Sequence, residues 1–269
     1  MKSTKNFIII LFLLTNIILL TSCQSKENKI ELRFIVASDG HYGQENVDYD
    51  MDYKNIIKWL NTEYNTKGLD YAFFIGDLVH DNPKFLDSVK VYFDQLKSPY
   101  YVVKGNHEKS NAGIWIKTWG YTDNHDFEKK DYAFILASTS DTSGAYLCVD
   151  AVWLNQRLDY YSGKKYVFIF MHISQKDWTT HGIDCLEVRE VIEKHPNVKA
   201  VFHGHDHQED SIKTFNDKYY FWDGHFGGSW GVDYKGYRIV EVNKKGGVYT
   251  YQYNPTNDSI VNSIYLDVQ

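Results

Sequence analysis

Only 4 prolines, 3 cysteines and 3 methionines occur among the 269 residues. So little proline leaves long stretches free for regular structure, and three cysteines are too few for a disulfide-scaffolded mini-domain. Lys and Arg number 29 against 35 Asp and Glu, a net charge of -6, and nowhere do basic residues cluster as a phosphate backbone would demand. A nucleic acid duplex is therefore not an expected partner. No apolar run reaches the roughly 20 residues that span a bilayer. What is plentiful is apolar and aromatic residues, 43% and 16% of the chain, enough for one full-sized globular domain rich in strands.

The longest apolar run, Phe7 to Leu20, follows Lys2 and Lys5 and reads as a secretory signal. It ends in Leu20-Thr21-Ser22-Cys23, which resembles the lipobox of bacterial lipoproteins. The resemblance implies a signal peptide over residues 1–22, a lipid anchor on Cys23 that ties the protein to a membrane, and a polar tether over 23–30. The exported lipoprotein would face the periplasm or the cell exterior, with Gln24 compatible with outer-membrane sorting. An ordinary signal peptide with an incidental cysteine is the alternative. Cleavage leaves 27 Lys and Arg against 35 Asp and Glu, a charge of -8. Of the remaining cysteines, Cys148 and Cys185 can bridge in an oxidising compartment, but Cys185 falls on an apolar helical stripe with Val188, Val191 and Ile192, which reads as a free core thiol.

Residues 31–269 contain no linker, repeat or low-complexity tract and read as one domain. Unalternating apolar runs of strand length lie at Phe34 to Ser38, Tyr71 to Ile75, Tyr100 to Val103, Tyr166 to Met171 and Val198 to Phe202. Helical faces lie between them, one through Tyr53, Ile56, Ile57, Leu60 and Tyr64, another through Phe85, Val89, Tyr92, Phe93 and Leu96. This is α/β alternation. After His207 the pattern changes to short alternating segments around Tyr219 to Trp222, Gly236 to Val242 and Val248 to Tyr253, with a hairpin turn at Lys245-Gly246-Gly247; antiparallel strands are expected there.

Each of the five apolar runs finishes on a polar cluster. These are Ser38-Asp39-Gly40-His41, Gly76-Asp77-Leu78-Val79-His80-Asp81, Gly105-Asn106-His107-Glu108, Met171-His172 and His203-Gly204-His205-Asp206-His207. Strand carboxyl ends are where α/β proteins gather ligand sites. Carboxylates mixed with imidazoles suit Mn, Fe or Zn better than calcium or magnesium. Two such ions among two carboxylates, one amide and four neutral imidazoles would leave excess positive charge, which acidifies bound water and attracts a phosphate ester.

The order D-x-H, G-D, G-N-H-E, H, G-H-x-H from Asp39 to His207 resembles the calcineurin-like metallophosphoesterase superfamily. The resemblance implies a four-layer αββα sandwich with a dimetal site at the strand C-terminal ends. It also implies two divalent metal ions: Asp39, His41 and His207 on one, Asn106, His172 and His205 on the other, and Asp77 between them with one carboxylate oxygen to each. His107 would be the catalytic histidine that assists leaving-group departure, and Glu108 would orient the loop. A hydroxide bridging the ions would attack the phosphorus of a small phosphoester. Purple acid phosphatases of this superfamily carry a tyrosine three residues after the bridging aspartate; His80 stands there in this chain, so no ferric-tyrosinate site is implied.

Motifs common to the superfamily do not choose a substrate. The lack of a separate substrate domain favours a small-molecule phosphodiesterase; a phosphomonoesterase or nucleotidase, or a non-catalytic surface-tethered binding protein on the same scaffold, are the alternatives. His203 is read as a group behind the ligands, His80 as such a group or a surface residue, with a leaving-group contact as the further alternative, and His225, in a glycine-rich loop, as a turn residue or substrate contact. Tyr42, Gln44, Trp115 and Trp119 are rim candidates for stacking or packing. His125, His181 and His195 are expected on the surface. The sequence leaves the oligomeric state open.

Overall fold

The five apolar runs bury both of their faces, which is why they do not alternate. In β1 (Ile30–Ala37), Phe34 and Val36 point into one cluster while Ile35 and Ala37 point into another. The same division recurs in β2 (Tyr71–Ile75) and, on a second sheet, in β6 (Tyr166–Met171), where Phe168 and Phe170 face inward and Val167, Ile169 and Met171 outward. The computed structural model describes residues 29–266. The signal peptide, Cys23 and most of the tether lie outside the described residues. Among these, no helix is long and apolar enough to cross a membrane.

The remaining strands are β3 (Tyr100–Val103), β4 (His125–Lys129), β5 (Tyr132–Ala137), β7 (Val198–His203), β8 (Asp210–Phe215), β9 (Lys218–Asp223), β10 (Tyr237–Asn243), β11 (Val248–Asn254) and β12 (Ser259–Leu266). They form two mixed sheets, ordered β12-β11-β10-β1-β2-β3 and β4-β5-β6-β7-β9-β8. The sheets face each other through phenylalanines, Phe73 lying flat on Phe170 at 4.0 Å and Phe34 meeting Phe168 edge-on at 5.0 Å. Helices α1 (Tyr49–Lys67), α2 (Leu86–Phe93) and α3 (Ala112–Trp119) cover the outside of the first sheet; α4 (Ala151–Tyr160) and α5 (Leu186–Lys194) cover the second. The four-layer αββα sandwich is as expected.

Four readings change. Tyr219 to Trp222 belongs to β9, which pairs antiparallel with β8 as expected but parallel with β7 on its other side. Cys185 is not a free core thiol: it caps α5 and bonds to Cys148, closing a loop across 37 residues of sequence. By chain entropy such a crosslink is worth about 4 kcal/mol. His195 is buried, not on the surface, with Nδ1 against Val191 O at 2.7 Å and Nε2 against Asp159 Oδ1 at 3.0 Å. His125 is half-buried in β4 and stacks on Tyr121 at 4.4 Å. The β10–β11 hairpin forms as expected, with Gly246 at φ 96°.

Candidate metal centre

The parallel strands β1, β2 and β3 end at one edge of the first sheet, and β6 and β7 end opposite them on the second. The loops that follow carry all seven expected ligands into the gap between sheets. The turns are tight: Asp39, His41, Asp77 and His205 have φ of 60°, 46°, 51° and 69°, a left-handed conformation that L-residues with a Cβ adopt at a cost of about 1–2 kcal/mol each. Gly76, at φ 89°, is obligatory, because a Cβ there would lie 2.4 Å from His172 Nδ1.

The side chains meet as facing acceptors. His207 Nδ1 donates to Trp230 O at 3.0 Å, which turns its Nε2 toward Asp39 Oδ1 at 3.1 Å and His41 Nε2 at 3.0 Å. His172 Nδ1 donates to Ile75 O at 2.7 Å, leaving Nε2 3.0 Å from Asp77 Oδ2. That contact is not aligned as a hydrogen bond, and Nε2 has no other partner. Asn106 Oδ1 and His205 Nε2 are also buried without partners. Two groups result, Asp39 with His41 and His207, and Asp77 with His172 and His205, the potential donor atoms of each lying within 4.8 Å of one another. Orphaned acceptors converging in nitrogen and oxygen sets fit divalent cations of the Mn, Fe or Zn kind.

Asp77 lies between the two groups. Its Oδ1 accepts the His107 backbone N–H at 2.8 Å, and Oδ2 alone faces inward, 3.0 Å from His172, 3.9 Å from His107 Nε2 and 4.0 Å from both His41 and His205. Asp77 thus faces both groups through Oδ2 while Oδ1 also steadies the turn at Asn106-His107.

Protons now balance these carboxylates. Burial disfavours the Asp39 carboxylate, but the charges of His207 and His172 outweigh it and hold its pKa at about 2. Burial likewise opposes a charge on His172, yet Asp77 raises its pKa to about 10. His41 goes the other way, pushed down to about 3 by burial, so its ring is neutral and offers a lone pair. A cation entering the site takes the place of those protons.

Glu108 is fully buried and pushed up to about 7 by burial and by the neighbouring Asp77 charge. Its carboxyl accepts from the backbone N–H groups of Gly105 and Leu78, each at 2.5 Å, and of Asp77 at 3.1 Å, fastening the Asp77 turn to the Asn106 turn. Glu108→Ala leaves those donors buried and unpaired and should lower stability by about 3 kcal/mol. Urea unfolding checks this, and a loss under about 1 kcal/mol would remove the role.

His107 is 25% exposed at the mouth, with Nδ1 2.9 Å from Asp81 Oδ1, which in turn pairs with Lys109 at 2.8 Å. His80 Nδ1 meets His41 Nδ1 at 3.0 Å, and its ring lies parallel to His107 at 5.0 Å; it touches a ligand directly. His203 does not: its ring stacks on Trp222 and its Nδ1 faces Phe221 O, so it serves the sheet. His225 is buried behind His207 at one side of the Trp230 cleft, both ring nitrogens on backbone carbonyls, which makes it a loop brace. Trp115 and Trp119 are buried under α3 in the first-sheet core, away from the rim. Tyr42 packs among Tyr49, Tyr53 and Phe85, and Gln44 reaches Ser229 Oγ at 2.7 Å. His181 is exposed, its ring edge-on to His205 at 5.6 Å.

Sequence reasoning passed over Trp230 and Tyr146. Trp230 lies flat on His207 at 4.4 Å, and Tyr146 meets His205 edge-on at 4.9 Å. The signal for Trp230 was present in Gly227-Gly228-Ser229-Trp230-Gly231, where glycines frame an aromatic. A cleft of about 310 Å³, lined by the loop from His225 to Lys235, runs beside Trp230; larger clefts of about 520 and 570 Å³ lie between α4 and α5 and beside Trp119.

The calcineurin-like phosphoesterase family matches residues 32–209. A 3',5'-cyclic-nucleotide phosphodiesterase of Nostoc sp. is 29% identical over 162 residues, covering 56% of this chain; the chain spans 60% of that relative's length. In fold the chain resembles a dimetal phosphatase from Danio rerio, with TM-score 0.71 and 13% identity over 90% of this chain and all of that one. It also resembles the yellow lupin purple acid phosphatase PPD1, with TM-score 0.66 and 12% identity over 87% of this chain and 53% of that one.

Proposed function

The chain belongs to the calcineurin-like phosphoesterase family; from that premise we propose that it is a phosphoric ester hydrolase that cleaves small-molecule phosphodiesters with the help of two divalent cations. The observation that carries this is Asp77 Oδ2, 4.0 Å from His41 in one group and 3.0 Å from His172 in the other, where His172 Nε2, His205 Nε2 and Asn106 Oδ1 are buried without partners. Asp39, His41 and His207 would hold one ion, Asn106, His172 and His205 the other, and Asp77 both. When bound, such ions supply an activated water and neutralise charge on the phosphoryl oxygens. The protein's part is positional. Ile75 O and Trp230 O fix which nitrogen His172 and His207 present, and Glu108 locks the two ligand turns together. Asp81 holds the His107 ring at the mouth with Nε2 turned toward Asp77, where a protonated ring can donate to a departing alkoxide.

The cyclic-nucleotide activity named for the Nostoc relative supports diesters over monoesters. The N-terminal segment supports export with a lipid anchor on Cys23, and the Cys148–Cys185 bond suits an oxidising compartment outside the cytosol.

The test is hydrolysis of bis(p-nitrophenyl) phosphate beside p-nitrophenyl phosphate, with manganese and after chelation. The diester should turn over about tenfold faster, and chelation should stop both. Monoester preference would replace the diester reading with a monoesterase, and silence on both esters with metal bound would sink catalysis itself.

A further inference from the structure

We propose that Trp230 is a specificity-determining platform, on which an ester arm ending in a planar ring, nucleobase or aryl, stacks beside the reacting phosphorus. The inference rests on the phosphoester-hydrolase reading of the ligands below it.

The loop from Gly224 to Gly231 is held firmly along the rim of the first ligand group. Phe226 and Gly227 donate backbone N–H groups to Ser38 O and Asp39 O at 3.0 and 3.1 Å, and Val232 N donates to His207 O at 2.9 Å. Gln44 ties down Ser229 from the opposite loop. Gly228, at φ 76°, makes the left-handed turn that lays the loop against His41 and His207. The indole that follows is therefore preorganised.

Its placement goes beyond what bracing His207 requires. His207 is already held by Trp230 O on its Nδ1 and by the His225 ring stacked at 5.3 Å on its other side. The indole adds a cover within 2° of parallel at 4.4 Å, yet remains 37% exposed. Trp230 lines a cleft of about 310 Å³ together with its own loop, from His225 to Lys235. His41 lies 4.9 Å and His80 6.3 Å from the same indole, so a ring stacked there sits within one ester arm's length of the ligands. A large aromatic held rigidly half in water next to ligand imidazoles is suited to a planar partner, since stacking is tolerant of ring identity and loses little side-chain entropy.

Two diesters that share a p-nitrophenol leaving group and differ in the retained arm provide the test: thymidine 5'-(p-nitrophenyl phosphate) and methyl p-nitrophenyl phosphate. The wild-type protein should prefer the thymidine ester. Trp230→Ala should lower kcat/KM for that ester roughly 10- to 100-fold through KM, and for the methyl ester by less than about threefold, while Trp230→Phe restores most of the preference. Calorimetry gives a readout free of turnover. Adenosine 5'-monophosphate should bind the wild type about tenfold more tightly than ribose 5-phosphate, and equally in Trp230→Ala. Equal losses on both esters would mean that the ring only props His207, and no loss on either would remove it from recognition; both outcomes overturn the proposal. If the wild type cleaves neither ester the hydrolase reading fails, and the calorimetric comparison still decides the platform.

Discussion

Asp77→Ala should lower phosphoester hydrolysis roughly 1,000-fold or more at saturating manganese, because it removes the carboxylate set between the two ligand groups, and several kcal/mol of charge stabilisation at the phosphoryl group goes with it. The variant separates two contributions of one carboxyl. Oδ1 holds the His107 backbone N–H, and Oδ2 faces the gap. Asp77→Asn keeps an acceptor for the backbone but loses the charge, so it should fold like the wild type while binding metal weakly. Bound metal measured by elemental analysis, alongside steady-state rates, checks both. Turnover within tenfold of wild type in Asp77→Ala would refute the central position of this residue.

His107→Ala should cost about 100- to 10,000-fold when the leaving group is a poor one, such as an alkyl alcohol, and far less when it is p-nitrophenol. A leaving group that departs readily as an anion needs no proton, so the size of the loss should follow leaving-group basicity. The geometry behind this is the ring's place at the mouth, 25% exposed, with Asp81 on Nδ1 and Nε2 3.9 Å from Asp77 Oδ2. Because the His107 backbone N–H that holds Asp77 Oδ1 at 2.8 Å survives the substitution, metal content should stay near the wild-type value. The slope of log rate against leaving-group pKa, measured for wild type and variant, is the deciding plot. Parallel slopes would assign His107 to binding alone.

The site was legible because its ligands lie in order at strand ends, where residue type and position speak together: Asp39, Asp77, Asn106, His172 and His205 each close an apolar run. The architecture was legible for the same reason, since strands buried on both faces leave unbroken hydrophobic runs. What the pattern hid was set by contacts distant in sequence. β4 and β8 are edge strands with polar sequences, and their pairing depends on neighbours rather than on their own composition. The Cys148–Cys185 bond joins an exposed loop cysteine to one at a helix cap, and the helical stripe read through Cys185 gave no hint of its partner. The orientation of Asp77 depended on a backbone N–H thirty residues away. Trp230 was obscured by His225, the neighbour that looked more chemical and proved to be a brace.

The four left-handed residues, Asp39, His41, Asp77 and His205, bear on how the protein responds to engineering. Each holds a backbone shape that glycine or asparagine accepts more readily, so a library ranked only by survival of heating in chelator would accumulate those replacements and discard the ligands with them. Ranking the same library with manganese present would reverse the order, since the ion rewards the residues that the bare chain penalises.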